Sequence, residues 1–207
     1  MDSLKMLGLA AVAAMALMVI AGAGSASATT LTCTNPPGTK VTCPVGTELD
    51  ASVEGGTTRL TAGGVTITCA TGTVKGKVEN AGSATETVSG KTTAVTVFDC
   101  PSCSAWEVTN GTLEFHTENN GGLANSNGTL TGNGFTVHTV CFGITCNYIT
   151  GNNKHLGTLT GSSTTKVTAT FDISTELEKE SGSFLCNNLA AWEGSYTVTS
   201  PDWLDVE

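Results

Sequence analysis

The chain has 207 residues, 9 basic against 18 acidic side chains for a net charge of −9, and 8 cysteines in a sequence only 5% aromatic. That length fits one domain large enough to build its own core. The charge argues against nucleic acid, whose phosphates demand a basic face, and equally disfavours an anionic membrane surface; Arg59 is the only arginine.

Met1 to Lys5 form a short polar start, Met6 to Ile20 are apolar throughout, and small residues lead to Ala26-Ser27-Ala28. A charged start, an apolar stretch of about 7–15 residues and a small-residue exit predict a cleavable signal peptide over residues 1–28. A membrane anchor needs about 20 apolar residues, more than this run supplies. Cleavage leaves 207 − 28 = 179 residues and removes every Met (Met1, Met6, Met15, Met18). Asp2 and Lys5 leave together, so 8 basic less 17 acidic residues keep the charge at −9. No second apolar stretch, LPxTG-type sorting signal or hydrophobic tail follows. The expected product is a soluble protein with no membrane span after signal cleavage, secreted, extracellular or cell-surface associated.

All eight cysteines follow the predicted cleavage site: Cys33, Cys43, Cys69, Cys100, Cys103, Cys141, Cys146 and Cys186. An even number in an exported chain reads as a set of disulfides, reinforcing a core that a chain of this length can form. Cys33 and Cys43 flank the turn signal Asn35-Pro-Pro-Gly38, which predicts a local bridge and makes residues 29–50 a disulfide-closed N-terminal extension. Cys141 and Cys146 flank Phe-Gly-Ile-Thr, a hairpin tip, and a second local bridge is expected there. Cys100-Pro-Ser-Cys103 has the spacing of a redox dithiol, but that chemistry needs a helix to start at the motif, and Ser104 to Phe115 lean towards strand. Zinc bound with Cys141 and Cys146 is the other reading; structural cystine is preferred to both in an oxidising compartment.

The body of the chain alternates with period two, the signature of half-buried strands. Val65, Ile67 and Cys69 line up; so do Val74 and Val78, Leu113 and Phe115, Phe135 and Val137, Ala169, Phe171 and Ile173, and Tyr196 and Val198. Asn-Gly pairs at 110–111, 127–128 and 133–134 punctuate these runs. Ser174 to Ser181 and Leu189 to Trp192 are the two stretches where a turn or two of helix is expected. The prediction is an all-β, disulfide-reinforced domain over residues 29–207, an antiparallel β-sandwich or jelly roll of about ten to twelve strands. Gly128-Thr-Leu-Thr-Gly132 recurs as Gly157-Thr-Leu-Thr-Gly161.

Reactive groups do not assemble into a recognisable motif. His116, His138 and His155 are the only histidines, and a metal site from His116, His138 and Glu114 would require their strands to be neighbours. No carboxylate pair, nucleophile elbow or calcium loop is present, so no catalytic residue, metal ligand or cofactor is assigned. Trp106, Trp192, Trp203, Tyr148 and Tyr196 are the rings that could form a platform for sugars, against the alternative that they fill the core.

Three stretches carry a resemblance: Cys69-Ala-Thr-Gly-Thr-Val-Lys-Gly-Lys-Val-Glu-Asn80, Cys141-Phe-Gly-Ile-Thr-Cys-Asn-Tyr148 and Trp192-Glu-Gly-Ser-Tyr-Thr-Val-Thr-Ser-Pro201. Together they resemble exported, uncharacterised β-rich proteins of Gram-positive bacteria with GC-rich genomes, and more distantly secreted proteins named as activators of alkane oxidation. The similarity covers most of residues 60–206 and leaves out 29–50. It implies a secreted sandwich and carries no catalytic residue across. The expected function is structural, adhesive or surface-associated work without catalysis, with surface or glycan contact as the partner class. The alternative is an extracellular module binding carbohydrate or another small ligand.

Overall fold

The computed structural model describes residues 30–34, 40–53, 57–83, 86–109, 111–117, 127–162 and 168–206. The predicted signal peptide, residues 1–28, lies outside these, as do residues 118–126. The sequence from Glu118 to Gly134 reads as a loop, but Asn127–Asn133 form a strand.

Every regular element among the described residues is a strand. The chain begins with β1 (Leu31–Thr34), β2 (Val41–Thr42), β3 (Glu48–Ser52), β4 (Thr58–Ala62) and β5 (Val65–Cys69). The long β6 (Thr71–Asn80) and β7 (Val88–Phe98) follow, then β8 (Cys103–Val108), β9 (Thr112–Thr117) and β10 (Asn127–Asn133). The rest are β11 (Thr136–Cys141), β12 (Ile144–Ile149), β13 (Lys154–Thr160), β14 (Thr170–Gly182), β15 (Leu189–Ser200) and β16 (Trp203–Val206). The all-β class, antiparallel pairing and disulfide reinforcement are as expected, and the strand count is higher. Tight two-residue turns explain part of the excess. Gly63-Gly64 and Phe142-Gly143 each adopt positive φ at both positions, fitting the right-handed twist of the strands they join and leaving no loop to mark the break.

Ser174 to Ser181 and Leu189 to Trp192 are strand, not helix. Glu, Leu and Lys favour helix weakly, but the alternation in β14 is stronger: Thr175 and Leu177 are buried while Glu176, Glu178 and Glu180 face water. β15 runs alongside as a ladder partner from Thr170↔Thr197 to Glu178↔Leu189, and β12 takes over from Glu178 to Gly182.

The large sheet closes on itself. β7 pairs at Val88–Lys91 with β9 and at Val95–Thr96 with β8, so two branches leave it. One runs β9, β10, β13 and reaches β14 at Thr170–Ile173. The other runs β8, β11, β12 and reaches β14 at Glu178–Gly182. From β14 the ladder returns through β15, β3 and β6 to β7. The inner faces meet in one core, where Phe115 and Phe171 lie with ring centroids 6.1 Å apart. Within the first branch the two Gly-Thr-Leu-Thr-Gly repeats lie side by side, Thr129 opposite Thr158.

β1 and β2 join β16 in a separate three-stranded sheet, with Cys33 bonded to Cys43 as predicted. β4 and β5 hang on β15 at Ala191–Glu193, and β5 has β4 as its only ladder partner among the described residues. At that end of the molecule no ladder joins the β4–β5 hairpin to the β11–β12 hairpin opposite, and this gap is where the site lies.

Candidate functional site

Disulfides hold the unladdered end. Cys69 of β5 bonds to Cys100, Cys103 to Cys141 of β11, and Cys146 of β12 to Cys186 in the β14–β15 connection. The three bridges tie β5, the β7–β8 turn, the β11–β12 hairpin and that connection in series. The predicted Cys141–Cys146 bridge does not form. With a two-residue turn, Cys141 sits opposite Ile144 and Cys146 opposite Thr139, so the two cysteines are diagonal neighbours. A diagonal pair stands about 7–8 Å apart, beyond the usual disulfide reach. Directly opposite Cys141 on the other side is Cys103, its actual partner.

Cys100 and Cys103 are joined by a tight turn, with the Cys103 amide donating to the Cys100 carbonyl at 3.0 Å, yet each is bonded elsewhere. Neither the dithiol nor the zinc arrangement exists in this oxidised state, which has no free cysteine. Four disulfides indicate an oxidising environment.

Between the stapled hairpins lies a cleft of about 290 Å³. Leu60, Ile67, Ile144 and Tyr148 form its apolar walls, and Cys141, Cys146 and Cys186 lie against it. Among the described residues no acidic or basic side chain lines it, in a protein whose net charge is −9. Burial pushes the Tyr148 phenol above its ordinary 10.0, so it stays neutral across the physiological range. Thr139 turns its hydroxyl to the Cys146 carbonyl at 3.4 Å, leaving Asn187 as the polar side chain at the rim.

The rim is what sets this end apart. Phe184 is 91% exposed, Phe142 65%, Leu185 61% and Val65 51%, all around one opening. Scattered apolar residues on a surface are ordinary, but a cluster around a concavity marks a place where something binds. The sequence reading passed over Phe142, Phe184 and Leu185 because each lies in a turn. The signal was nonetheless there: turns are normally polar, and two of these carry aromatic rings.

The other candidates disperse. His116 is on β9, whose neighbours are β7 and β10, and His138 is on β11, so the strands a shared metal site needs are not adjacent. The His116 Nε2 stands 3.3 Å from Thr131 Oγ1 and 3.6 Å from a Glu114 oxygen. His138 Nδ1 meets Asn147 Oδ1 at 2.6 Å, and the Asn147 amide donates to Ser181 Oγ at 2.8 Å. His155 is exposed in β13. Among the described residues no three of His, Cys, Asp or Glu gather as a metal site. Trp106, Trp192, Tyr148 and Tyr196 are core residues; Trp203 is partly exposed, with the Lys40 ammonium 4.9 Å from its ring centroid.

Comparison with protein families, curated proteins and solved structures finds no match to this chain.

Proposed function

We propose that this is an exported, non-enzymatic protein that works at apolar surfaces or on small apolar ligands, which it engages through the stapled cleft. The observation that carries this reading is the ring of Phe142, Phe184, Leu185 and Val65 around an opening without charged walls. Water gains by leaving such a rim, at roughly 25 cal/mol per Å² of apolar surface covered. The staples fix the elements that carry the rim, so the cleft need not assemble when the ligand arrives and binding loses less to ordering. Export is supported by the disulfides and the amino-terminal signal, and the acidic surface directs the choice towards uncharged partners.

Carbohydrate is the weaker reading, since a stacking platform needs exposed rings in a row and four of the five Trp and Tyr rings lie in the core. Retention of the oxidised protein on alkyl-coated, hydroxyl-coated and glycan-bearing beads separates the two. Retention on alkyl beads alone is the expected outcome. Retention on glycan beads alone would return the assignment to carbohydrate.

A further inference from the structure

Beside the cleft, β5 presents an open sheet edge whose chemistry is set by the turn before it. In a hairpin with a two-residue turn, the residues flanking the turn exchange ladder hydrogen bonds and the pairs then alternate. Here Ala62–Val65, Leu60–Ile67 and Thr58–Cys69 are the bonded pairs, while Thr61–Thr66 and Arg59–Thr68 are not. The close approach of Thr61 Oγ1 and Thr66 Oγ1, at 3.0 Å, agrees with the narrower side-chain spacing of an unbonded pair. The N–H and C=O groups of Thr66 and Thr68 therefore point away from β4, and no ladder partner takes them among the described residues.

Native edges are usually guarded by Lys, by Pro, by a bulge or by a covering loop. β5 reads Val65-Thr-Ile-Thr-Cys69, with no charge, no Pro and no register shift against β4, and its first two residues and Thr68 are exposed. The hairpin from Thr57 to Cys69 also holds no acidic residue, in a chain with 18 of them, and its one charge is Arg59. It is thus a stretch where two acidic copies can meet without opposed carboxylates. Its sequence is self-complementary: turned about Ile67, Thr66 faces Thr68 of a copy, and Ile67 faces Ile67.

We propose that β5 is the docking edge for a second copy of this chain, the two β5 strands pairing antiparallel about a two-fold axis at Ile67. In this register Thr66 and the other copy's Thr68 exchange backbone hydrogen bonds, as do Thr68 and the other copy's Thr66, and the β-branched cross-strand pairs are favourable ones. A two-fold axis is the commonest symmetry of soluble homo-oligomers. An edge pair of 5 residues is at the small end of interfaces, so a reversible dimer is expected. Pairing sets two clefts on one rigid sheet, which makes the assembly bivalent towards an apolar surface.

Sedimentation of the oxidised mature protein from about 1 to about 300 µM tests this, together with amide exchange at Thr66 and Thr68 over the same range. A monomer–dimer equilibrium is expected, with exchange at these two amides slowing at least about tenfold as the dimer fills. Thr66→Pro removes one outward N–H without touching a bond to β4, and should weaken the dimer at least about tenfold. Because proline can disturb the strand itself, Thr66→Lys with Thr68→Lys serves as the second variant: both sites are exposed, and the substitutions place like charges opposite each other across the pair. Binding of an apolar dye in the cleft should survive all these changes, so failure of the dimer and failure of the cleft reading are separable. A monomer at every concentration, or a dimer that both variants leave intact, overturns the proposal.

Discussion

Thr58 shows how a single hydroxyl can organise a core. Its Oγ1 accepts from Trp192 Nε1 at 3.1 Å and from the Tyr196 hydroxyl at 3.0 Å, and donates to the Glu193 carbonyl at 3.2 Å. That uses both lone pairs and the proton, and two large rings depend on it for their polar atoms. Replacing it by the isosteric Val orphans a buried N–H and a buried O–H at about 1–3 kcal/mol each, so Thr58→Val should lower the unfolding free energy by about 2–5 kcal/mol in urea titrations. Thr92 is the contrasting case, a buried hydroxyl with no hydrogen-bond partner among the described residues, beside a small apolar cavity. Thr92→Val in the same assay should be neutral or stabilising by about 1 kcal/mol.

Tyr196 also gives the fold a defined alkaline limit. Burial raises its phenol above 10.0 in the folded protein, opposed by the hydrogen bonds with Thr58 and Trp192. An unfolded tyrosine releases its proton at about pH 10, so above that pH the unfolded state gains from ionisation what the folded state does not. The stability due to this group is complete below pH 10 and falls as pH climbs towards the folded value. Urea midpoints measured from pH 8 to 11 should decline more steeply for the wild type than for Tyr196→Phe, although the variant starts about 1 kcal/mol lower for its lost hydrogen bond.

At the level of elements, what could be read from the sequence was what depends on local pattern. The Cys33–Cys43 bridge closes 10 residues over a turn signal, and the strands of β5, β6, β9, β11 and β15 announce themselves by alternation. Long-range register was not legible. Cys103 meets Cys141 only because β8 and β11 are neighbours with a bulge at Val140/Cys141, a fact that no spacing within either strand encodes. Ser174 to Ser181 misleads for a related reason: helix-favouring composition is overridden once β15 supplies partners up to Glu178 and β12 from Glu178 onward. The Cys146–Cys186 staple, with a sequence separation of 40, should contribute about 4 kcal/mol through the unfolded chain. Cys146→Ser with Cys186→Ser should therefore lower the melting temperature markedly. It should also weaken dye binding in the cleft at temperatures where the fold persists, because the loop that carries Phe184 and Leu185 loses its covalent tie to β12.

For the molecule as a whole, the division between its two ends matters most. Both branches complete a ring of hydrogen bonds, whereas the β4–β5 hairpin leaves β15 at one end with no ladder on the far side of β5 among the described residues, and there disulfides supply the ties. The staples restrict the motion of the elements that line this end. Its rim side chains Phe142, Phe184, Leu185 and Val65 stand exposed to whatever the protein meets. Composition could not reveal this, because Phe142, Phe184 and Leu185 add nothing unusual to a 39% hydrophobic sequence; only their convergence does.

The most direct test is equilibrium binding of a neutral apolar dye such as Nile red to the oxidised protein and to Phe184→Ser with Leu185→Ser. Both positions are exposed turn residues, so folding should change by no more than about 0.5 kcal/mol. Each large apolar side chain contributes about 1.5–3 kcal/mol when fully covered, so even partial contact predicts at least tenfold weaker binding in the variant. Equal affinity in the two proteins would contradict the assignment of this cleft as the working end of the molecule.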